Sequence, residues 1–416
     1  MSGKATFILV LAFSGLFLLK GNELIGFSND SMDNFIQYYK ETNTHNIATA
    51  GANMAVNQLF FNKYWNTGYS NIPFENGIFT VTITAYGDDN RKLVSIGEYE
   101  GFKDTVTVLL QPKNFAQYGN FYNVMGGVWA ATGDTFSGPF HTNDYLNCYG
   151  NPVFLGYTTT LKGVKKYNSY SNPVFLGGLE TGVSIPLEFD TSSIRKAAYT
   201  DGKIFRDTTN KNYITDVKLT FLNDGNVKYQ VNINNKGWTT EKTTPLKTLA
   251  PNGVIYVEKG NVYVEGTLNG QATIVATKKG TTSAGTVHIA NSITYNKNPL
   301  TDPSSTDMLG LVGEQKVQVD FNSSRGDIDI HASIYSQNDG LVIDKYSSYP
   351  AAYHMNLLGG VIGQKIQPTA VYKWVGKDLI PTNGYSYIHK YDQRFYKQVP
   401  PYFPKTKYYK VISWAE

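Results

Sequence analysis

Three textures of hydrophobic and polar positions follow one another along the chain. From Ala5 to Leu19, ATFILVLAFSGLFLL, fifteen residues carry no charge, with Lys4 before them and Lys20 after. A helix that is apolar all round needs lipid or protein on every side. As a helix the run spans about 22 Å, short of a hydrocarbon core of about 30 Å. Lys20 can snorkel, and Glu23–Phe27, ELIGF, extends the apolar stretch. A basic start and a run of this length also suit a cleaved secretory signal. No A-x-A site follows directly, and a second helical pattern begins instead, so the preferred reading is a retained anchor.

The second texture runs from about Ser31 to Trp65. Asp30 or Ser31 is the expected N-cap, and Asp33 sits near the positive end of the helix. Ile36, Tyr39, Asn43, Ile47, Ala50 and Met54 recur at intervals of three and four and predict one buried stripe. Ala48, Gly51, Ala52 and Ala55 lie around it, small enough to admit another backbone. From Gly77 to Pro112 the period drops to two. Phe79, Val81 and Ile83 alternate with threonines, a Gly-Asp-Asp-Asn turn follows at 87–90, and Val106, Val108 and Leu110 alternate again. This predicts an antiparallel meander with one buried face.

An apolar N-terminal helix leading into an amphipathic one, with HNIATAGANMAVNQLF (His45 to Phe60) before a β-meander, resembles the type IV pilins, the minor pilins especially, over roughly residues 1–112. The resemblance implies a helix that anchors the subunit in the inner membrane and packs into a filament core. The chain departs from that family in one respect: pilins usually carry a glutamate near the start of the apolar segment, and the first acidic residue here is Glu23.

The third texture is a series of short apolar bursts parted by Gly, Asn, Asp and Pro. NPVFLG occurs at Asn151–Gly156 and again at Asn172–Gly177. Ile255, Ile274, Ile293, Leu311 and Ile330 also fall at steps of 18 or 19. A strand-rich unit repeating near 20 residues predicts a parallel β-solenoid, whose single coils cannot bury their own apolar side. A Greek-key sandwich is the competing architecture, but its strands would alternate more cleanly than GVIYV or LGLVG.

The expected fold class is therefore α+β, mainly β: a long pilin-like helix with an antiparallel meander, then a right-handed parallel β-solenoid carrying an inserted hairpin subdomain. The expected segments are 1–29 (apolar helix), 30–115 (amphipathic helix and meander), 116–178 (first coils), 179–252 (an inserted helix and a hairpin around Asp224-Gly225), 253–382 (further coils) and 383–416 (an aromatic cap over the last coil). GPFHTNDYLNCYGNPVFLG, DMLGLVG, DIDIHASIYS and the YDQRF…PPYFP ending together resemble a family of bacterial envelope proteins that joins a pilin-like N-terminus to such a β-domain.

Composition narrows the function. Charged residues make up 17% of the chain with a net charge of +4, and no basic run stands out, so nucleic acid is not an expected partner. The single cysteine, Cys148, excludes an internal disulfide and a multi-thiolate zinc site. No cofactor or metal site is expected, since none of the six histidines lies in a metal or hydrolase motif. His141 near Asp144 and Cys148 is weighed as a nucleophile–base set, and more simply as a histidine bonding backbone. Asp327, Asp329 and His331 share one strand face, as the acids of a polysaccharide lyase or hydrolase would, and equally as a solvated face would. Arg325-Gly326-Asp327 is too short a match to carry an adhesion argument. The 31 tyrosines can stack on sugars or on one another.

The expected function is a non-enzymatic subunit of a type IV pilus-like filament, at the bacterial cell surface. Its assembly residues are Phe7, Ile8, Leu9, Val10, Leu11, Phe13, Phe17 and Leu18, with Ser14 and Gly15 permitting close helix approach. The expected partners are further copies or other pilin-like subunits, the inner membrane before assembly, and a surface polysaccharide. The alternative is a membrane-tethered polysaccharide-binding adhesin, lyase or hydrolase on the same scaffold.

Overall fold

The structure, a computed structural model, describes residues 2–87, 90–187, 192–375 and 378–416. Asp88 and Asp89 of the expected Gly-Asp-Asp-Asn turn lie outside the described residues. A long N-terminal helix is followed by a mostly β chain, and the whole divides into two compact units, Met1–Pro112 with Lys407–Glu416, and Lys113–Thr406.

In the first unit the two expected helices are one. Helix α1 runs unbroken over Ser2–Phe61. The first proline of the chain is Pro73, so nothing in this stretch removes a backbone donor. Against α1 lies an antiparallel meander of β1 (Tyr69–Phe74), β2 (Gly77–Tyr86), β3 (Asn90–Tyr99) and β4 (Phe102–Asn114), in that order across the sheet.

The buried stripe of α1 differs from the expected one. Thr44, Ile47, Ala48, Gly51, Ala52, Ala55 and Leu59 face the sheet, while Ile36, Tyr39 and Met54 are exposed. The reason lies in β3, whose inward positions are Leu93, Ser95, Gly97 and Tyr99. Two small residues at the centre of that face let α1 come close enough for backbone contact. A Cβ on Gly97 would stand 2.5 Å from the Thr44 carbonyl oxygen and 2.6 Å from the Ala48 nitrogen. Ser95 Oγ donates to the Ala48 carbonyl at 2.7 Å. Small residues on both partners win over larger apolar ones because the contact is made by main chain.

The C-terminal segment also departs from expectation. Lys405–Ala415 does not cap a coil; it forms the fifth strand of this sheet, beside β4. Tyr409 and Trp414 add to its core, and Tyr408 stacks on Phe60 at 4.4 Å between centroids.

The second unit is built from parallel ladders. Asn120–Val124, Phe140–Thr142, Thr158–Thr160 and Leu179–Thr181 form one of them. A second joins Ala130–Ala131, Leu146–Tyr149 and Val164–Lys166. A third joins Thr135–Phe136, Val153–Phe154 and Val174–Phe175. The two NPVFLG copies therefore lie side by side in register, Val153 opposite Val174 and Phe154 opposite Phe175. Phe136, Phe154 and Phe175 stack face to face at 4.9 and 5.0 Å. The final glycines are required by contact: a Cβ on Gly177 would lie 2.3 Å from the carbonyl carbon of Gly156, and one on Gly156 would lie 2.0 Å from the Gly138 oxygen.

The later part of this unit stacks in the same way, but with unequal steps. Lys203–Phe205, Val254–Val257, Gln271–Ala276, Met308–Gly313, Ile328–Ser336 and Ala352–Lys365 form one parallel face. That face continues into Asn120–Val124, where Ile362 pairs with Phe121, so the later ladder joins the earlier one. The expected 18- to 19-residue alignment holds only for Ile255 with Ile274. Ile274 pairs with Leu311, whereas Ile293 pairs with Gly266 and Ile330 on another face. Every face buries β-branched residues, so the spacing had linked positions from different faces.

The segment read as an insertion is continuous with these ladders. Helix Ser192–Asp201 precedes Lys203–Phe205, which pairs parallel with Val254–Val257. Strand Thr215–Phe221 pairs parallel with Val262–Leu268 and antiparallel with Asn226–Ile233, across the expected turn at Asp224-Gly225. Residues 383–406 lie along the ladders: the Phe403 ring approaches Gly310, and Thr273 Oγ1 donates to the Pro401 carbonyl.

Three outcomes follow from this packing. Gly51→Ala places a methyl 2.6 Å from Ser95 Oγ and 2.7 Å from the buried Phe79 ring. It is expected to destabilise the first unit by about 1–3 kcal/mol in thermal or denaturant unfolding. Gly26→Ala, on the same helix with nothing within 4 Å, is expected to stabilise it by about 0.5–1 kcal/mol. Phe154→Ala removes the middle, fully buried ring of a three-ring stack and is expected to cost the second unit about 3–5 kcal/mol.

Candidate functional site

One helix carries two different surfaces. Between Thr44 and Leu59, α1 is pinned to its own sheet. Towards the N-terminus it touches nothing in the chain that buries it. Phe7, Ile8, Leu9, Val10, Leu11, Phe13, Phe17 and Leu18 are all between 53% and 76% exposed. Successive residues turn by about 100°, so Phe7 through Leu11 point in every direction around the axis. No rotation of the helix could hide them against a single neighbouring face. Burying these eight side chains is worth on the order of 10–25 kcal/mol, which makes water an unfavourable permanent environment for this half of α1.

The apolar surface covers the ELIGF extension that the sequence suggested and runs past residue 29. Leu24, Ile25, Phe27, Met32, Phe35 and Tyr38 are exposed as well. Between Ala5 and Phe27 the only charges are Lys20 and Glu23, which pair with each other across three residues of helix. Those 23 residues span about 34 Å, enough to cross a hydrocarbon core. Among the described residues α1 is the one helix long and apolar enough to do so. Ser14 and Gly15 lie on this stretch, and Gly15 has nothing within 4 Å of its would-be Cβ.

The alternative catalytic sets do not assemble. His141 is buried, with Nδ1 2.7 Å from Thr159 Oγ1 and Nε2 3.0 Å from Asn143 Oδ1, and burial lowers its pKa to about 4. Cys148 is buried too, which pushes its thiol up to about 12. Burial alone would raise the Asp144 carboxyl, but hydrogen bonds from Lys162 Nζ and the Met125 N–H help hold it below its ordinary value. A neutral, fully bonded imidazole and a protonated thiol cannot form an activated nucleophile.

Along Ile328–Ser336 the alternation is as expected: Ile328 and Ile330 are buried and Asp329 is exposed. The polar residues of this face serve the neighbouring strands. Asp327 accepts from the His354 N–H at 2.8 Å, Asp329 from Asn356 Nδ2 at 2.9 Å, and His331 Nδ1 from the Tyr295 N–H at 3.0 Å. Among the described residues no three His, Cys, Asp or Glu side chains converge as a metal site would require. Arg325 of the Arg-Gly-Asp tripeptide is buried. It donates to the Ala290 and Asp320 carbonyls and to the hydroxyls of Tyr385 and Tyr349, so it is not available to a partner.

No known protein family and no curated protein matches the chain. Among solved structures it is similar to the competence-associated pilin ComZ from Thermus thermophilus, at 11% identity over 90% of this chain and 97% of that one, with a TM-score of 0.33.

Proposed function

We propose that the chain is a structural subunit of a type IV pilus-like extracellular filament, as a filament subunit or minor pilin. The N-terminal half of α1 holds it in the bacterial inner membrane before assembly. That half then exchanges lipid contacts for contacts with the same helix of other copies or of other pilin-like subunits. The observation that carries this reading is the split character of α1, locked to its own sheet from Thr44 to Leu59 and exposed and apolar on every side from Phe7 to Leu18. A helix rooted at one end and uncovered at the other is suited to inserting into an environment made by neighbours.

Helix association in such an environment gains from close backbone approach, and Ser14 and Gly15 provide a place for it. The second unit is read as a right-handed β-solenoid, in keeping with the strong preference of parallel crossovers for that hand. It is the part offered to a surface polysaccharide. A lyase or hydrolase on this scaffold needs convergent carboxylates, and Asp327 and Asp329 are each engaged with a neighbouring strand. The role is therefore structural rather than catalytic.

Leu11→Lys tests the reading, because a lysine at the centre of a spanning helix costs about 2.5–3.5 kcal/mol. The variant is expected to move from the carbonate-resistant membrane fraction to the supernatant, and to disappear from filaments sheared off the cell surface. Asn291→Lys, at an exposed strand position of the second unit, is expected to leave both unchanged. Sheared native material whose N-terminal sequence begins beyond Lys20 would defeat the proposal.

A further inference from the structure

A cavity of about 540 Å³ opens in the second unit, within the size range of small-ligand sites. Its lining includes Trp129, Tyr149, Tyr167, Tyr372 and Trp374. Four of these rings form a connected wall. Trp129 meets Tyr167 edge to face at 5.2 Å, Tyr167 meets Tyr149 at 4.7 Å, and Tyr149 meets Trp374 at 5.8 Å. Tyr167, Tyr372 and Trp374 are 60%, 40% and 55% exposed, unusual for side chains with this much apolar area to bury.

The ladder explains why the space is open. Tyr149 and Tyr167 occupy successive steps, the Tyr167 N–H bonding to the Cys148 carbonyl. One step the other way, the residue opposite Tyr149 is Ala131. The aromatic column stops at an alanine, and the missing ring leaves room. Beside it, the Ala131–Asp134 turn aims one carboxylate at the cavity. Asp134 Oδ2 accepts from the Ala131 N–H at 2.7 Å, and Oδ1 has no protein donor among the described residues. Burial raises this carboxyl to about 6, and burial together with the Asp134 charge pushes the Tyr372 hydroxyl up to about 12. Gln367 and Thr369 add an amide and a hydroxyl to the lining.

The chemistry of the walls selects the occupant. Among the described residues the lining holds one carboxylate and no Lys, Arg or His. The ammonium of Lys165 lies 5.7 Å from the Trp129 ring centre, engaged with that face. Among the described residues a polyanion would meet a carboxylate and no cation in the lining. A purely apolar ligand would give nothing to Asp134, whose carboxylate has one donor among the described residues, the Ala131 N–H, or to the polar groups of Gln367 and Thr369 in the lining. A ring with one apolar face and a rim of neutral hydroxyls satisfies both, stacking on tryptophan or tyrosine while its hydroxyls donate to the carboxylate and bond to the amide.

We infer that this cavity is a binding site for a neutral carbohydrate, with Trp129 and Trp374 as stacking platforms and Asp134 as the hydrogen-bond acceptor that orients it. The inference gives the polysaccharide partner of the proposed function a site, and it stands independently of α1.

The test is titration of the purified full chain in detergent with neutral oligosaccharides (cellotetraose, maltotetraose, chitotetraose and mannotetraose), read by tryptophan emission and calorimetry, with a heparin fragment and single-stranded oligothymidylate as polyanions. At least one neutral oligosaccharide is expected to bind, and neither polyanion. Trp374→Ala, at a side chain more than half exposed, and Asp134→Leu are each expected to weaken binding by about tenfold or more. Ala131→Trp, which refills the gap in the column, is expected to abolish it. Unchanged thermal unfolding of Trp374→Ala separates a lost platform from a lost fold. No response to any of the neutral sugars, binding undiminished in Trp374→Ala and Ala131→Trp, or binding of the polyanions alone would each overturn the inference, while leaving the behaviour of α1 in membranes untouched.

Discussion

The first unit depends on the approach of α1 to β3 at Ser95 and Gly97. Helices usually rest on sheets through large side chains, which hold the two backbones apart. Here the main chain at Thr44 and Ala48 sits where a Cβ on Gly97 would be, and Ser95 Oγ bonds the Ala48 carbonyl. Such a contact tolerates almost no adjustment, because neither side has a flexible chain to move. It therefore fixes the axis of α1, and an α-helix without proline carries that direction along its length. Phe7 lies about 60 Å along the helix from Ile47, yet its placement within this unit is set by the packing of residues 44–59.

In the second unit the recurring constraint is the spacing of strands in a parallel ladder, about 4.8 Å. Phe136, Phe154 and Phe175 stack at 4.9 and 5.0 Å because their strands do. The steps in sequence are free to vary as long as register returns. Closing a longer loop costs only slowly more entropy, so the excursion between Ile274 and its partner Leu311 is affordable beside the shorter one between Ile255 and Ile274. Polar groups help hold the register. His141 sits between Thr159 and Asn143, and Arg325 ties Ala290 and Asp320 to Tyr349 and Tyr385.

Patterns confined to one strand or one helix face were readable from the sequence. The apolar run of α1, the alternation of Ile328, Asp329 and Ile330, the turn at Asp224-Gly225 and the apolar strand Met308–Gly313 all follow from local periodicity. What escaped depends on a partner distant in the chain. The sequence marked Ala48, Gly51, Ala52 and Ala55 as admitting another backbone, but that the stripe centres on them follows from Ser95 and Gly97 of β3, which no periodicity within the helix reveals. The strand Lys405–Ala415 reads as an aromatic tail until β4 is known to need a neighbour. The aromatic wall was illegible for the same reason. Trp129, Tyr149 and Tyr167 come together by ladder register, and Trp374 arrives from more than 200 positions further on. Among 31 tyrosines, nothing local distinguishes these from the rest.

The ionisable groups point to a division of labour. Glu258 is nearly fully buried, and burial alone would raise its carboxyl, yet Lys279, Arg195 and Arg206 surround it and hold it below its ordinary value. Such a cluster is costly to disrupt, since removing one charge leaves the others uncompensated, and it sits where helix Ser192–Asp201 meets the ladder. Asp144 with Lys162 and Asp392 with Arg394 are likewise internal pairs. A catalytic site requires the opposite, with charged groups left incompletely paired so that a substrate can complete them. These clusters are spent on the fold, while the apolar half of α1 and the aromatic wall around Asp134 are left uncovered. Both present area and shape rather than paired charge, which is what the proposed assembly and sugar binding would use.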